Sequence, residues 1–227
     1  MSSPPPTYTE EEAFQYLKRI NFPLTNPPAA FPPANYETLR RLVACHNHYV
    51  PFENLSLHYS RDPKIDLDKD YLFDKFVIRR RGGYCMEQNR CFSILLRTLG
   101  YTLYTIGARV HVRGTYTGWS HMAIILTLDG TEYLVDVGFG GNGLSQPLAV
   151  FSANGEPIED HVNGALPEQH RARLAEMPIN AKKGHKVWFL ESRRTPEAGW
   201  EPLYMFEKDT EFYFEDYRMY LPEQCHL

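Results

Sequence analysis

The 227-residue chain is short of three things, and each shortage removes a class of function. It has no long apolar run: nothing reaches the roughly 18 consecutive apolar residues of a membrane helix. Its first residues, Met1 to Thr7, hold neither a basic segment nor an apolar core, so they do not read as a secretory signal. It has no surplus of positive charge, with 24 Lys and Arg against 28 Asp and Glu and a formal net charge of −4. Long-range attraction to nucleic acid or to an anionic membrane is therefore not expected. Its four cysteines, Cys45, Cys85, Cys91 and Cys225, follow no framework spacing. In a chain without an export signal they are expected as reduced thiols in a cytoplasmic setting. Cys85 and Cys91 lack zinc spacing, and His46 and His48 lack a matching cysteine pair, so no metal is expected.

Two motifs also lack the context they need. Gly138-Phe-Gly140-Gly-Asn-Gly143 matches G-x-G-x-x-G, but Leu144-Ser-Gln-Pro147 does not start the helix that dinucleotide binding requires. It reads as a Gly-rich turn able to approach a ligand. The basic stretch Lys182 to Lys186, with Arg193 and Arg194, reads as solvated surface, with cofactor phosphates as a secondary use.

What the chain does have is core material: 43 % hydrophobic and 14 % aromatic residues. After a disordered tail over 1–8, Thr9 and Glu12 make a capping-box pattern ahead of a helix with Ala13, Leu17 and Ile20 on one face. A second helix is expected over Tyr36 to His48, a third over Tyr71 to Ile78, and a fourth from Cys85 to about Leu99, with Gly100 as its stop. Beyond residue 100 the pattern turns to strands: Tyr101 to Val112, His121 to Leu128, Glu132 to Val137, Leu148 to Phe151, Lys186 to Glu191 and Pro202 to Glu207. The expected class is α+β. Its units are a helical domain over 9–100, an antiparallel β domain over 101–207, and a short remainder over 208–227.

Cys85 follows Gly82-Gly83 at the expected start of a helix. A helix N-terminus carries partial positive charge and free N–H groups, which favour a thiolate and can receive a developing oxyanion. The paired glycines are expected to let a substrate reach the sulfur. Against this stands the ordinary use of a free cysteine as a small buried hydrophobe.

Asp129-Gly130 is a strong hairpin signal. If it is a two-residue loop, Leu128 faces Thr131, His121 falls opposite Gly138, and Asp136 falls opposite Ala123. Strand side chains alternate, so His121 and Asp136 become diagonal neighbours on one face, about 7–8 Å apart. A carboxylate there can fix the tautomer of the histidine, with Gly138 leaving room beside the ring. The alternative is a solvent-facing His–Asp pair.

These residues resemble a known family. Arg81-Gly-Gly-Tyr-Cys85-Met-Glu87-Gln-Asn89 is similar to the RGGxCxExN signature of the arylamine N-acetyltransferases. Pro51-Phe-Glu53-Asn54-Leu55 resembles their PFEN segment. Trp119-Ser-His121-Met122 and Val135-Asp136-Val137-Gly138-Phe139-Gly140 resemble the segments that carry their histidine and aspartate. The Pro-rich head and loops suit a fungal member.

The resemblance implies a papain-like fold, a helical bundle followed by an antiparallel β-barrel, and a Cys85–His121–Asp136 triad. Cys85 would attack an acyl-CoA thioester such as acetyl-CoA, His121 would move the protons, and Asp136 would orient His121. An arylamine or arylhydrazine would then take the acyl group. Thr117, Gly118 and Ser120 resemble positions lining the substrate and CoA site, with Phe139 and Tyr84 as further walls. Arg19 and Glu53 resemble an ion pair behind the site, near Arg81. The family's third domain, a C-terminal lid, would be largely missing after Asp216-Tyr217, so weak CoA binding is expected. Two other readings stay open: a thiol hydrolase using the same triad, and a catalytically impaired short form acting by interaction.

Overall fold

A computed structural model describes residues 4–24, 30–59, 66–163, 168–177 and 183–218. The helices come first: α1 (Glu10–Arg19), α2 (Tyr36–Tyr49), α3 (Leu55–Tyr59), α4 (Lys69–Phe73) and α5 (Cys85–Thr98). At the head of α1 the amide of Glu12 donates to Thr9 Oγ1 at 3.2 Å and the amide of Thr9 donates to the Glu12 carboxylate at 2.8 Å. Such a cap contributes about 0.5–2 kcal/mol. The expected tail over 1–8 needs correcting at its end. Tyr8 is buried, its amide donates to Thr98 Oγ1 at 2.8 Å, and its hydroxyl lies 3.2 Å from Cys91 Sγ; Met1–Ser3 lie outside the described residues.

The third expected helix is α only as far as Phe73. It continues as a π-helix over Asp74–Ile78. The wider turn brings Lys75 inward, where its ammonium meets Glu87 of α5 at 2.7 Å with side chains 3 % and 5 % exposed. Gly100, at φ +90°, ends α5 in the left-handed region, as its place in the sequence requires.

Eight antiparallel strands follow among the described residues: β1 (Thr102–Val112), β2 (Thr115–Tyr116), β3 (His121–Leu128), β4 (Thr131–Val135), β5 (Leu148–Phe151), β6 (Gln169–Glu176), β7 (Lys186–Arg193) and β8 (Glu201–Glu211). Their order is β5-β4-β3-β1-β8-β7-β6, with β2 paired to β1. The two edge strands are bridged by the segment over 156–163: Ile158 N donates to Val150 O of β5 at 2.9 Å and Asp160 N to Ala172 O of β6 at 3.0 Å. The sheet is thus a nearly closed barrel beside a helical bundle, the expected α+β arrangement. Strand β8 runs past the expected boundary at 207 as far as Glu211, and α6 (Phe214–Arg218) then places Tyr217 against Leu67, Met86 and Met122. Residues 219–227, with Cys225, lie outside the described residues. No described helix is long and apolar enough to cross a membrane.

Strand β3 joins the two layers. Ile124 and Leu126 belong to the helical core with Phe92 and Leu95, while Ala123 and Ile125 belong to the barrel core with Tyr204 and Phe206. Being covered on both faces explains its nearly unbroken apolar sequence. Strand β6 escaped the sequence reading because Arg171, Arg173 and Glu176 break its apolar pattern; only His170 and Ala172 turn fully inward.

The glycines before Cys85 serve packing, which corrects the expectation of substrate access. A Cβ on Gly82 would sit 1.8 Å from the Pro51 carbonyl oxygen, and one on Gly83 would sit 2.6 Å from Glu87 Oε2 and from the Phe76 ring. The Pro51–Glu53 segment pairs with Gly83 through an isolated parallel bridge at Phe52, with Glu53 N donating to Gly83 O at 3.0 Å. Gly82→Ala is therefore expected to lower stability by at least the ~1–3 kcal/mol of an overpacked core. Urea unfolding measures this; an unchanged midpoint would show that the Pro51 segment gives way freely.

Candidate active site

Cys85 is the first residue of α5, half-buried, with its thiol 3.8 Å from the Ser120 carbonyl oxygen. The 129–130 hairpin is the two-residue loop that the sequence suggests. Asp129 and Gly130 both take positive φ, 50° and 77°, Leu128 pairs with Thr131, and Ile124 pairs with Val135. Asp136 lies one residue past β4. His121 Nε2 and Asp136 Oδ2 are 2.7 Å apart, and both side chains are almost wholly buried.

With Nε2 engaged by Asp136, Nδ1 is the ring nitrogen left to face Cys85, which lies close enough to help raise His121. Burial alone would push the imidazole down. The charge and hydrogen bond of Asp136, with a further contribution from Cys85, outweigh it and hold His121 up at about 10. Burial would likewise raise Asp136, but charged His121, the Asn89 amide and the Gly138 N–H hold the carboxyl below its ordinary value.

Two contributors escaped the sequence reading. Asn89 donates to Asp136 Oδ1 at 2.8 Å and to Met122 O at 2.6 Å, and accepts from Val137 N at 3.0 Å. The signal for it was present: Asn89 stands four residues after Cys85, on the same helix face. Tyr204 of β8 is fully buried with its ring centroid 5.1 Å from that of His121. Burial first, then the charge of Asp136, keeps its phenol well above the usual value; its hydroxyl turns toward Asp136 without a well-formed hydrogen bond. Nothing in the local sequence separates Tyr204 from the other tyrosines.

The remaining candidates divide. Thr117 and Ser120 share a hydroxyl contact of 2.6 Å, Thr117 also donates to Gly118 O, and Ser120 adjoins Cys85. Phe139 stands edge-on to His121 at 5.4 Å, and Tyr84 sits with Cys85 beside Met86. The Arg19–Glu53 pair is not formed. Arg19 donates to the carbonyls of Tyr49, Phe76 and Arg80 at 2.7, 2.9 and 3.3 Å, because helix ends leave acceptors there; Glu53 instead pairs with Arg81 at 3.0 Å. Gly138 makes room for something other than the imidazole, since a Cβ would lie 2.6 Å from the Cys85 carbonyl oxygen and 2.7 Å from Asn89 Nδ2. The Gly-rich turn after it, closed by Gly143 N to Gly140 O at 3.1 Å, leads to β5 and to no helix. Of the basic stretch, Lys182 lies outside the described residues, and Lys186 opens β7. Among the described residues no group of three or more His, Cys, Asp or Glu is arranged to hold a metal ion.

Residues 35–222 match the model of a family described as N-acetyltransferase. The N-malonyltransferase FDB2 of Fusarium pseudograminearum is 32 % identical over 246 residues, covering 95 % of this chain and 69 % of that protein. The arylamine N-acetyltransferase from Mycobacterium abscessus superposes with a TM-score of 0.74 at 26 % identity, over 92 % of this chain and 67 % of that one. The Mycobacterium marinum arylamine N-acetyltransferase in complex with CoA superposes with a TM-score of 0.72 at 30 % identity, over 91 % and 69 %.

The ionised pair has a signature in stability. The folded pKa of His121 lies above its ordinary 6.5, at about 10, so its contribution is complete below 6.5 and is lost as pH climbs toward 10. That of Asp136 lies below its ordinary 3.8, so its contribution is present above 3.8 and lost as pH falls. The excess stability of the wild type over His121→Gln is expected to peak between about pH 4 and 6.5 and to shrink by about pH 10. Denaturant midpoints across that range test it; a level difference above about pH 6 would mean a neutral ring.

Proposed function

The chain belongs to this N-acetyltransferase family, that of the arylamine N-acetyltransferases, and on that premise we propose that it moves a short acyl group from an acyl-CoA to an arylamine or arylhydrazine through a thioester on Cys85. The observation that carries the reading is the buried His121–Asp136 pair, closed at 2.7 Å beside a thiol at a helix N-terminus.

In this reading charged His121 stabilises the Cys85 thiolate, which attacks the thioester carbonyl of the donor. First-turn N–H groups of α5 receive the developing oxyanion. The tetrahedral intermediate collapses, the C–S bond to CoA breaks, and His121 protonates the departing CoA thiolate. One thioester has replaced another, so this half-reaction is close to balanced. The amine then attacks the acyl-cysteine, neutral His121 takes its proton, and the thiolate leaves to restore the starting pair. Asp136 keeps the ring in one tautomer and supports its charged form throughout. Water competes with the amine, so the walls at Phe139 and Tyr84 favour the transfer by excluding it. Thr117, Gly118 and Ser120 would line the donor side. An acyl-CoA donor suits the cytoplasm.

Acetyl is the donor group of the main reading. Malonyl is the second, favoured by the 95 % of this chain that aligns with a protein named an N-malonyltransferase. Intact mass after mixing with acetyl-CoA or malonyl-CoA separates the two, with a single adduct expected on Cys85. Cys85→Ser should give none. Asp136→Asn should stay folded and lose activity on the order of 10³–10⁴-fold, by analogy with the same change in the serine protease triad. An adduct on Cys45 or Cys91 would overturn the nucleophile assignment, and peptide cleavage without CoA would favour a thiol hydrolase.

A further inference from the structure

Behind the candidate nucleophile, and outside the triad, runs a chain of buried polar groups. The Tyr16 hydroxyl is 2.9 Å from His46 Nδ1, and His46 Nε2 is 2.6 Å from Gln88 Oε1. Gln88 Nε2 donates to the carbonyls of Pro51 at 2.9 Å and Gly83 at 3.2 Å. None of Tyr16, His46 or Gln88 is more than 1 % exposed.

The protons in this chain can be placed by elimination. Two carbonyl oxygens face one end of the Gln88 amide, and carbonyls only accept, so that end is the NH₂ group. Its other end is then the oxygen, and His46 Nε2 must carry a hydrogen to donate to it. Burial pushes His46 down to about 4, despite the bond to Gln88, so the ring is neutral near pH 7 and Nδ1 is an acceptor. Tyr16, whose pKa burial holds well above the usual value, keeps its proton and donates it to Nδ1. One arrangement of protons satisfies every group.

The chain ends at the backbone that delivers Cys85. Gly83 stands two residues before it and forms the parallel bridge with Phe52, next to Pro51. Gln88 lies in the first turn of α5, so its side chain ties the start of that helix to the turn leading into it. Left unpaired, the same buried groups would each lose their hydration with nothing to replace it.

We propose that His46 is a positioning residue: fixed as the Nε2–H tautomer between Tyr16 and Gln88, it locks the Gln88 amide and, through the Pro51 and Gly83 carbonyls, sets where Cys85 meets His121. This rests on the reading of Cys85 as the nucleophile. A displacement of about 1 Å at the sulfur is enough to slow attack on the order of a hundredfold.

The test uses the full chain. Imidazole-nitrogen NMR of the labelled wild type should show His46 neutral and protonated at Nε2. His46→Phe and Gln88→Met, checked for folding by near-UV circular dichroism, should alkylate at Cys85 and form the acyl-enzyme about ten- to a hundredfold more slowly. The acyl-CoA concentration at half-saturation should stay unchanged. His46→Gln, which keeps a donor for Gln88, should recover most of the rate, and a role in stability alone would not produce that split. An Nδ1–H tautomer, or wild-type rates in the folded variants, overturns the inference and leaves the triad reading standing. An unreactive Cys85 in the folded wild type overturns both.

Discussion

The structure turns on one buried amide. Asn89 reaches from α5 to the carbonyl of Met122 on β3, to the carboxylate of Asp136, and to the N–H of Val137. Helical layer and barrel touch mainly through apolar packing, which resists separation but hardly fixes register. Three directional bonds from one side chain do fix it. They place the N-terminus of α5 against the start of β3, and so set Cys85 beside His121. Gly138 completes the fit, because any side chain there would push both the Cys85 backbone and the Asn89 amide away.

Around that junction the chain buries charge in compensated pairs. Lys75 and Glu87 meet at 2.7 Å behind the Cys85 turn, and the Glu87 carboxylate also accepts from the Tyr84 N–H at 3.2 Å. His121 and Asp136 do the same in front of it. Removing one partner of such a pair typically costs about 3–5 kcal/mol, because the other charge is stranded in a poorly polarisable interior. These pairs stabilise the fold little and constrain it strongly. Cys85 is held between two rigid polar assemblies, one facing the cleft and one facing the bundle.

Local rules were legible wherever the cause is local. The capping box at Thr9, the stop at Gly100 and the hairpin at Asp129-Gly130 depend on residues close in the chain, and each is realised. The parity argument for His121 and Asp136 worked because turn type and strand alternation are short-range. Reading failed where the cause lay elsewhere. Gly82 and Gly83 answer to Pro51, Glu87 and Phe76 rather than to a ligand. Arg19 answers to three helix-end carbonyls rather than to Glu53. Strand β6 is an edge strand whose exposed face carries arginines, so it lacked an apolar signal. The π-helix at Asp74–Ile78 brings Lys75 to Glu87, a partner on the next helix that no local propensity names.

By itself, the sequence determined most of the helices and strands, the hairpin that pairs a histidine with an aspartate, and a cysteine at a helix start. All of these follow from propensity, periodicity and turn chemistry over a few residues. Only the tertiary structure decided that Cys85 comes beside the His121–Asp136 pair, that Asp136 holds the buried His121 above its ordinary pKa, and that Asn89, Tyr204, Gln88 and His46 pack around this site. Desolvation and hydrogen bonding between residues dozens of positions apart are properties of packing, and no window of sequence contains both partners.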